Sequence, residues 1–473
     1  MHRFLISALL LGLFSATKLQ AQDAVRYELG KRLASMERAW EGAEPAKKAQ
    51  ALPHLQAAVK RFFGLHFSEA AGDLDAARLA LLDLGPESPQ AWALQFALEP
   101  AWRLGAIHPE QAKLLFRLRT LYDSPAPKPK GRVEAIATLR RPAGQVLAKS
   151  QGQSLAGTSP LHGEISLEGV PEGDHELCVE FSLAGRRIGQ VAVGVSLAKG
   201  LGRRIESLTN AAEHEDTSIE ACTTRRLVRD LIKLRSGETL EIDAPASRWL
   251  AEAEDIKKID DPQTFYDLGQ AGEFWLDVAL STGTQSLRLM SPPSAGNAPR
   301  PLVIALHGAG GSENMFFEGY GYGAAVRLAK QRGWVLLAPR APFFGSVDVQ
   351  GLLHALAQRY RIDPARVFLL GHSMGAAQVL AIARKHPAAY RALAILGGGI
   401  AARSDHKLVE VPVYIAAGTL DFGRAGSIAL HKSLVKLGGK VRLDLREGIE
   451  HLTIVQESLP AAFGFFDEAL KKR

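Results

Sequence analysis

From about residue 266 to its end the chain alternates short, continuous apolar runs with stretches of helical period, and no other feature restricts its fold as strongly. The apolar runs fall at 302–306, 334–338, 367–370, 392–396 and 413–417, and a further strand is expected at 441–445. Amphipathic segments lie between them at 324–331, 349–360, 374–385 and 426–437, and a closing helix runs through Leu470. A strand apolar on both faces must be covered on both, and a helix after each strand returns the chain parallel to it. The pattern predicts a doubly wound, mostly parallel α/β sheet, entered through two earlier strands at 274–279 and 286–290.

The chain has 473 residues, enough for two to four domains at roughly 100–200 residues each. Residues 1–21 read as a secretory signal: Arg3, an apolar stretch over 4–14, then a polar segment ending at Ala21, although Leu19 is larger than the cleavage rule prefers. The apolar stretch is shorter than the about 20 residues that span a bilayer. The expectation is a secreted or periplasmic protein, not membrane-spanning. Residues 22–123 read as helical, with stripes Leu55, Val59, Phe62, Phe63, then Leu74, Ala77, Leu81, Leu82, then Leu114, Leu115, Leu118, Leu121. A Pro-rich linker follows at 124–131. Over 132–260 the period changes to two, with strands at 133–139, 163–167, 175–183 and 189–197 and a trailing helical segment at 203–235. That spacing predicts a small β-sandwich-like accessory domain ahead of a catalytic domain at 261–473.

Strand alternation places Leu177, Val179 and Phe181 on one face and Cys178 with two glutamates on the other. A Cys178–Cys222 disulfide and two free thiols both stay open, and two lone cysteines make no zinc site. The net charge of +7 is spread thinly, with 23 Lys+Arg against 17 Asp+Glu over 261–473 and no dense basic tract. A nucleic-acid partner is not expected. No metal or organic cofactor is expected either, and oligomeric state is unreadable from the sequence.

The sharpest motif is Gly371-His372-Ser373-Met374-Gly375. Glycines two before and two after a serine let the chain turn sharply from strand to helix and hold the hydroxyl out at the sheet edge. Here an apolar run ends at the first glycine and a small-residue helix begins at the second, which is the context the motif needs. Upstream, the run 302–306 leads into His307-Gly308-Ala309-Gly310-Gly311. Such a loop can turn backbone N–H groups toward a developing oxyanion. Phosphate cradling fails for want of a Gly-Lys-Ser/Thr ending. The expected donors are the N–H groups of Ala309 and Met374, with His307 a loop histidine.

The acid and then the histidine should follow in chain order. Asp421 lies just past the run 413–417 and His451 just past 441–445. Asp348, Asp405 and Asp444 compete as the acid. His354, His386 and His431 read as surface, and His372 as scaffolding beside the nucleophile. In this assignment His451 takes the proton of Ser373, and Asp421 orients the imidazole and stabilises its charged form.

Residues 265–473 resemble an α/β-hydrolase and, within that fold, the exported polyhydroxybutyrate-depolymerase and feruloyl-esterase-like group, related to dienelactone hydrolases and prolyl-oligopeptidase catalytic domains. The resemblance is carried by Tyr360-Arg-Ile-Asp-Pro-Ala-Arg-Val-Phe-Leu-Leu-Gly-His-Ser-Met-Gly375 and by Pro301-Leu-Val-Ile-Ala-Leu-His-Gly-Ala-Gly-Gly311. It implies a serine hydrolase that cleaves carboxylic esters, small or polymer-linked, through Ser373, Asp421 and His451. About sixteen residues separate the runs 392–396 and 413–417, too few for a large cap. A serine peptidase is the alternative, against which about 240 residues ahead of the domain are short for a seven-bladed propeller at roughly 40–50 residues per blade. A non-catalytic binding protein on the same fold is the third reading.

Overall fold

Continuous apolar runs become strands wherever helices cover both faces, and this decides most of the C-terminal architecture. The computed structural model describes residues 24–107, 113–155, 161–212, 216–259, 265–266, 270–293, 298–402 and 406–471. The signal segment expected at 1–21 and the candidate acid Asp405 lie outside them. The chain forms two units, one of Met1–Met36, Ala43–Glu213 and Leu227–Lys258, the other of Glu37–Gly42, His214–Arg226 and Ile259–Arg473.

In the first unit, helix α1 (24–41) is followed by α2 (Pro45–Phe63), α3 (Phe67–Leu81) and α4 (Pro89–Leu94). Leu55, Leu74, Ala77 and Leu81 turn inward as their spacing predicts, whereas Phe63 and Leu82 are exposed. Strands β1 (Phe96–Pro100), β2 (Leu104–Ile107), β3 (Lys113–Thr120), β4 (Val133–Arg140), β5 (Val146–Lys149), β6 (Gln153–Ser154), β7 (Leu161–Ser166), β8 (Gly173–Leu183) and β9 (Arg186–Lys199) come next. They form a three-stranded sheet, β1-β3-β7, and a second sheet, β2-β9-β8-β4-β5, with β6 beside β4. Trp92, Phe96, Leu114 and Phe116 share one core with Val133, Leu139, Leu177 and Phe181. Helices α5 (Leu201–Ala212), α6 (Ile219–Arg235) and α7 (Ala246–Lys258) follow.

The helical expectation over 22–123 is corrected at 96–120. Leu114 and Leu118 are four apart, a spacing that fits a helix and a strand alike. Lys113, Leu115 and Arg117 interleave with buried Leu114, Phe116 and Leu118, and that alternation is the period of a strand. The disulfide alternative is not realised either. Cys178 and Cys222 are free and buried, Sγ of Cys178 lying 3.5 Å from Gln190 Oε1 and Sγ of Cys222 3.1 Å from Arg225 Nη2.

The second unit is built on strands β10 (Gly272–Leu280), β11 (Gly283–Ser291), β12 (Arg300–Leu306), β13 (Val335–Pro339), β14 (Ile362–His372), β15 (Ala392–Leu396), β16 (Val413–Gly418) and β17 (Val441–Arg446). Their order is β10-β11-β13-β12-β14-β15-β16-β17. The pairs from β13 through β17 are parallel, and β11 is antiparallel to both of its neighbours. Every residue of β12, β13, β15 and β16 is buried, as both-face coverage requires. The helices are α8 (Met315–Glu318), α9 (Tyr320–Arg332), α10 (Val349–Leu356), α11 (Met374–Lys385), α12 (Arg424–Lys436) and α13 (Thr453–Lys471). Trp334, Phe368 and Phe466 stack between sheet and α13, with centroids 5.3 and 4.5 Å apart. Edge strand β17 has no fully buried residue and carries Arg442, Asp444 and Arg446, a charged edge that resists further pairing.

Candidate active site

Strand β14 delivers Ser373 at its carboxyl end, and α11 starts one residue later. The backbone of Ser373 has φ +54° and ψ −115°, a conformation that costs a non-glycine residue roughly 1–3 kcal/mol. The flanking glycines make that turn feasible. A Cβ on Gly375 would lie 2.1 Å from the Leu306 carbonyl oxygen, and one on Gly371 would lie 2.4 Å from the Gly375 oxygen. Strand, elbow and helix therefore pass closer than any other residue permits.

Asp421 comes from the loop after β16 and His451 from the loop between β17 and α13. His451 Nδ1 lies 2.7 Å from Asp421 Oδ1, and its Nε2 lies 3.0 Å from Ser373 Oγ. Asp421 Oδ1 also accepts the Gly423 N–H at 2.7 Å. Asp421 and His451 are buried while Ser373 is half-exposed, so the row opens toward solvent at the hydroxyl. With Nδ1–H donated to the carboxylate, Nε2 is left as an acceptor for the serine proton. The other described carboxylates have different work. Asp348 caps α10 through the Gly351 N–H, and Asp444 accepts from the Tyr414 hydroxyl and from Arg446. His354 and His386 are exposed and His431 half-buried.

The loop after β12 carries His307, Gly308, Ala309, Gly310 and Gly311 past the serine. A Cβ on Gly308 would lie 3.3 Å from Ser373 Cβ. His307 is held by backbone on both sides: Nδ1–H donates to the Gly308 carbonyl at 2.8 Å and Nε2 accepts the Ala341 N–H at 2.9 Å. Among the described residues the N–H groups of Ala309 and Met374 donate to no protein acceptor. Met374 opens α11, where such donors are unsatisfied and the helix dipole favours negative charge. Farther along the loop, Glu313 is buried between Arg226 and Arg340 at 2.5 and 2.6 Å, and these guanidinium groups hold its carboxyl down at about 2.

His372, between Gly371 and the serine, is buried. Its Nε2 lies 3.0 Å from the His451 carbonyl oxygen and its Nδ1 2.8 Å from the Tyr320 hydroxyl, which accepts the Gly308 N–H at 3.1 Å. Burial, then the charge of His451, pushes the His372 imidazole well below the ordinary histidine range. Tyr320 and Glu37 escape a reading of motifs. The signal that could have found Tyr320 is the alternation Gly319-Tyr320-Gly321-Tyr322-Gly323, which marks a forced backbone ahead of a helix.

Among the described residues no His, Cys, Asp and Glu cluster could hold a metal ion, and no helix is long and apolar enough to cross a membrane. No family model and no curated protein matches this chain. Solved structures do resemble it. A ferulic acid esterase aligns with 42% of this chain and 99% of its own at 13% identity, TM-score 0.38. An S-formylglutathione hydrolase from Agrobacterium tumefaciens aligns with 43% of this chain and 96% of its own at 18% identity, TM-score 0.36. A thermostable esterase covers 79% of this chain and 99% of its own at 14% identity, TM-score 0.39. These likenesses are remote; the strand order and the elbow after β14 define the second unit as an α/β-hydrolase fold.

Proposed function

We propose that this protein is a serine hydrolase of carboxylic esters, with Ser373 as nucleophile, His451 as general base and then acid, and Asp421 as the group that orients it. The observation that carries the reading is the single imidazole bridging Ser373 Oγ and Asp421 Oδ1 at 3.0 and 2.7 Å. Ser373 Oγ attacks the ester carbonyl as His451 Nε2 takes its proton. Ala309 and Met374 N–H donate to the tetrahedral oxyanion, stabilisation worth about 10²–10³ in rate per donor in comparable sites. His451 returns the proton to the departing alcohol, leaving an acyl-enzyme that water cleaves by the same steps. Phe343, Phe344, Ile400 and Phe422 are 67, 86, 59 and 63% exposed on loops that follow strand ends, a rim suited to a bulky apolar ester.

A fluorophosphonate probe tests the chemistry: it should label the full chain and not Ser373→Ala, and equal labelling of both refutes the assignment. Turnover of p-nitrophenyl acetate and butyrate without turnover of aminoacyl-nitroanilides should accompany it, and the reverse preference would make the protein a peptidase. Export rests on the pattern of residues 1–21, and amino-terminal sequencing of protein recovered outside the cytoplasm should begin at Gln22.

A further inference from the structure

Tyr320 sits in a left-handed turn of four residues. Tyr320, Gly321, Tyr322 and Gly323 have φ of +47°, +78°, +55° and +69° ahead of the regular part of α9. Left-handed backbone costs a non-glycine residue roughly 1–2 kcal/mol, and two tyrosines bear it here. The Gly323 N–H donates to the Gly319 carbonyl at 3.0 Å, and the other three bear on one acceptor, the buried carboxyl group of Glu37. The Tyr322 N–H donates to Glu37 Oε2 at 3.3 Å, and those of Tyr320 and Gly321 face the same group. The Gln456 amide fixes the Glu37 carbonyl at 3.0 Å. Arg38 lies over the Tyr322 ring, 4.1 Å from its centroid. Strain is thus held from outside the turn, and what the turn achieves is the position of one hydroxyl.

That hydroxyl has its protons assigned by its neighbours. The His451 carbonyl can only accept, so His372 Nε2 carries the hydrogen between them. A neutral imidazole then has a bare Nδ1, which accepts from the Tyr320 O–H at 2.8 Å. The Tyr320 oxygen in turn accepts from the Gly308 N–H at 3.1 Å. Hydrogen bonds run in one direction from Gly308 through Tyr320 and His372 to the backbone of His451. One end is the oxyanion loop and the other is the residue that takes the serine proton.

We propose that Tyr320 is a positioning residue of the reaction: through Gly308 and His372 it sets the oxyanion loop and the histidine loop relative to each other, and Glu37 holds the turn that carries it. The proposal rests on the esterase reading. The Tyr320 hydroxyl bonds Gly308 and His372 and acts on the reaction through them, so its effect should fall on the transition state rather than on substrate binding.

The test uses the full chain and Tyr320→Phe, which keeps the ring and removes the hydroxyl. With p-nitrophenyl acetate, kcat should fall about tenfold, the size of one well-made hydrogen bond, with KM within about twofold. Phenylboronic acid, which forms a tetrahedral adduct with an active serine, should lose affinity by a similar factor. An unchanged kcat and boronate affinity overturns the proposal, as does a rise in KM alone. Independently of the variant, ¹⁵N-histidine NMR of the wild type should show His372 as the neutral Nε2–H tautomer throughout about pH 5–8. An Nδ1–H tautomer, or ordinary titration near 6.5, overturns it even if Tyr320→Phe does not fold. A wild type inert to both ester and fluorophosphonate brings down the esterase reading and the proposal with it. An active wild type matched by Tyr320→Phe brings down the proposal alone.

Discussion

Glu37 allows a quantitative test that needs no substrate. Burial raises its carboxyl from the ordinary 4.5 to about 8, against the N–H groups of Tyr322, Gly321 and Tyr320, with the Glu450 carboxylate pushing it further up. In the unfolded chain the group ionises near 4.5; in the folded protein it keeps its proton until about 8. Between those values the folded state binds more protons than the unfolded one, so stability falls as pH rises. The decline begins near 4.5 and is complete above 8. At 1.36 kcal/mol for each tenfold change in proton affinity, the whole difference is on the order of 5 kcal/mol. Glutamine has nearly the same shape, keeps an acceptor oxygen for the turn and cannot ionise. Glu37→Gln should therefore melt within a few degrees of wild type at pH 4.5 and on the order of 10 °C above it at pH 8.5, at roughly 2–4 °C per kcal/mol for a unit of this size. Calorimetry at the two pH values reads the difference directly. If Glu37→Gln shows the same pH dependence as wild type, or melts lower at pH 8.5, the turn's N–H groups outweigh burial and the carboxylate is ionised throughout.

Asp421→Asn keeps the shape of the acid but not its charge. It should lower kcat on p-nitrophenyl acetate by about 10³–10⁴ with little change in melting temperature, and Asp444→Asn should leave turnover within about twofold; equal damage from both would refute the choice of acid. Gly375→Ala puts a Cβ 2.1 Å from the Leu306 oxygen, so strand β12 and α11 must separate. A loss of about 3 kcal/mol or more in urea melts is expected, together with loss of turnover. Glu313→Gln leaves Arg226 and Arg340 without their shared carboxylate. It should cost about 3–5 kcal/mol at pH 7. Because the folded Glu313 carboxyl is held down at about 2, its contribution is present above the ordinary 4.5 and lost as pH falls toward 2. Urea melts of variant and wild type should therefore converge at low pH, and a constant gap would show that the pair does not carry the difference.

What the sequence made legible follows from how many structures a pattern allows. A run such as 392–396, apolar at every position between two amphipathic segments, fits one role, and β15 occupies those same residues. The stripe at 114–121 fitted two, and the interleaved Lys113 and Arg117 favoured the strand. That Ser373, Asp421 and His451 would meet was readable because each lies within a few residues of a strand's carboxyl end, where chain order alone brings loops to one edge. Tyr320 is fixed instead by backbone angles that no side-chain periodicity encodes. Glu37 meets Tyr322 across 285 residues of chain, a separation that local pattern cannot bridge.

On the proposed reading, the loop after β12 shows why those illegible residues matter. Near its start, Gly308 donates to Tyr320, whose turn rests on Glu37. Near its end, Glu313 is buried against Arg226, which also bonds Asp277 of β10. Both anchors therefore come from segments far from the hydrolase strands in sequence, 37–42 and 214–226, that group with the C-terminal unit. A loop that must hold two N–H groups still while charge develops gains most from fixation at both ends, since a donor displaced by even 1 Å loses much of its effect. The stretch 259–473 contains Ser373, Asp421 and His451 but neither Glu37 nor Arg226. On the proposed reading, that continuous stretch supplies the reacting residues, and two supports of its oxyanion loop, Glu37 behind Tyr320 and Arg226 beside Glu313, come from the rest of the chain.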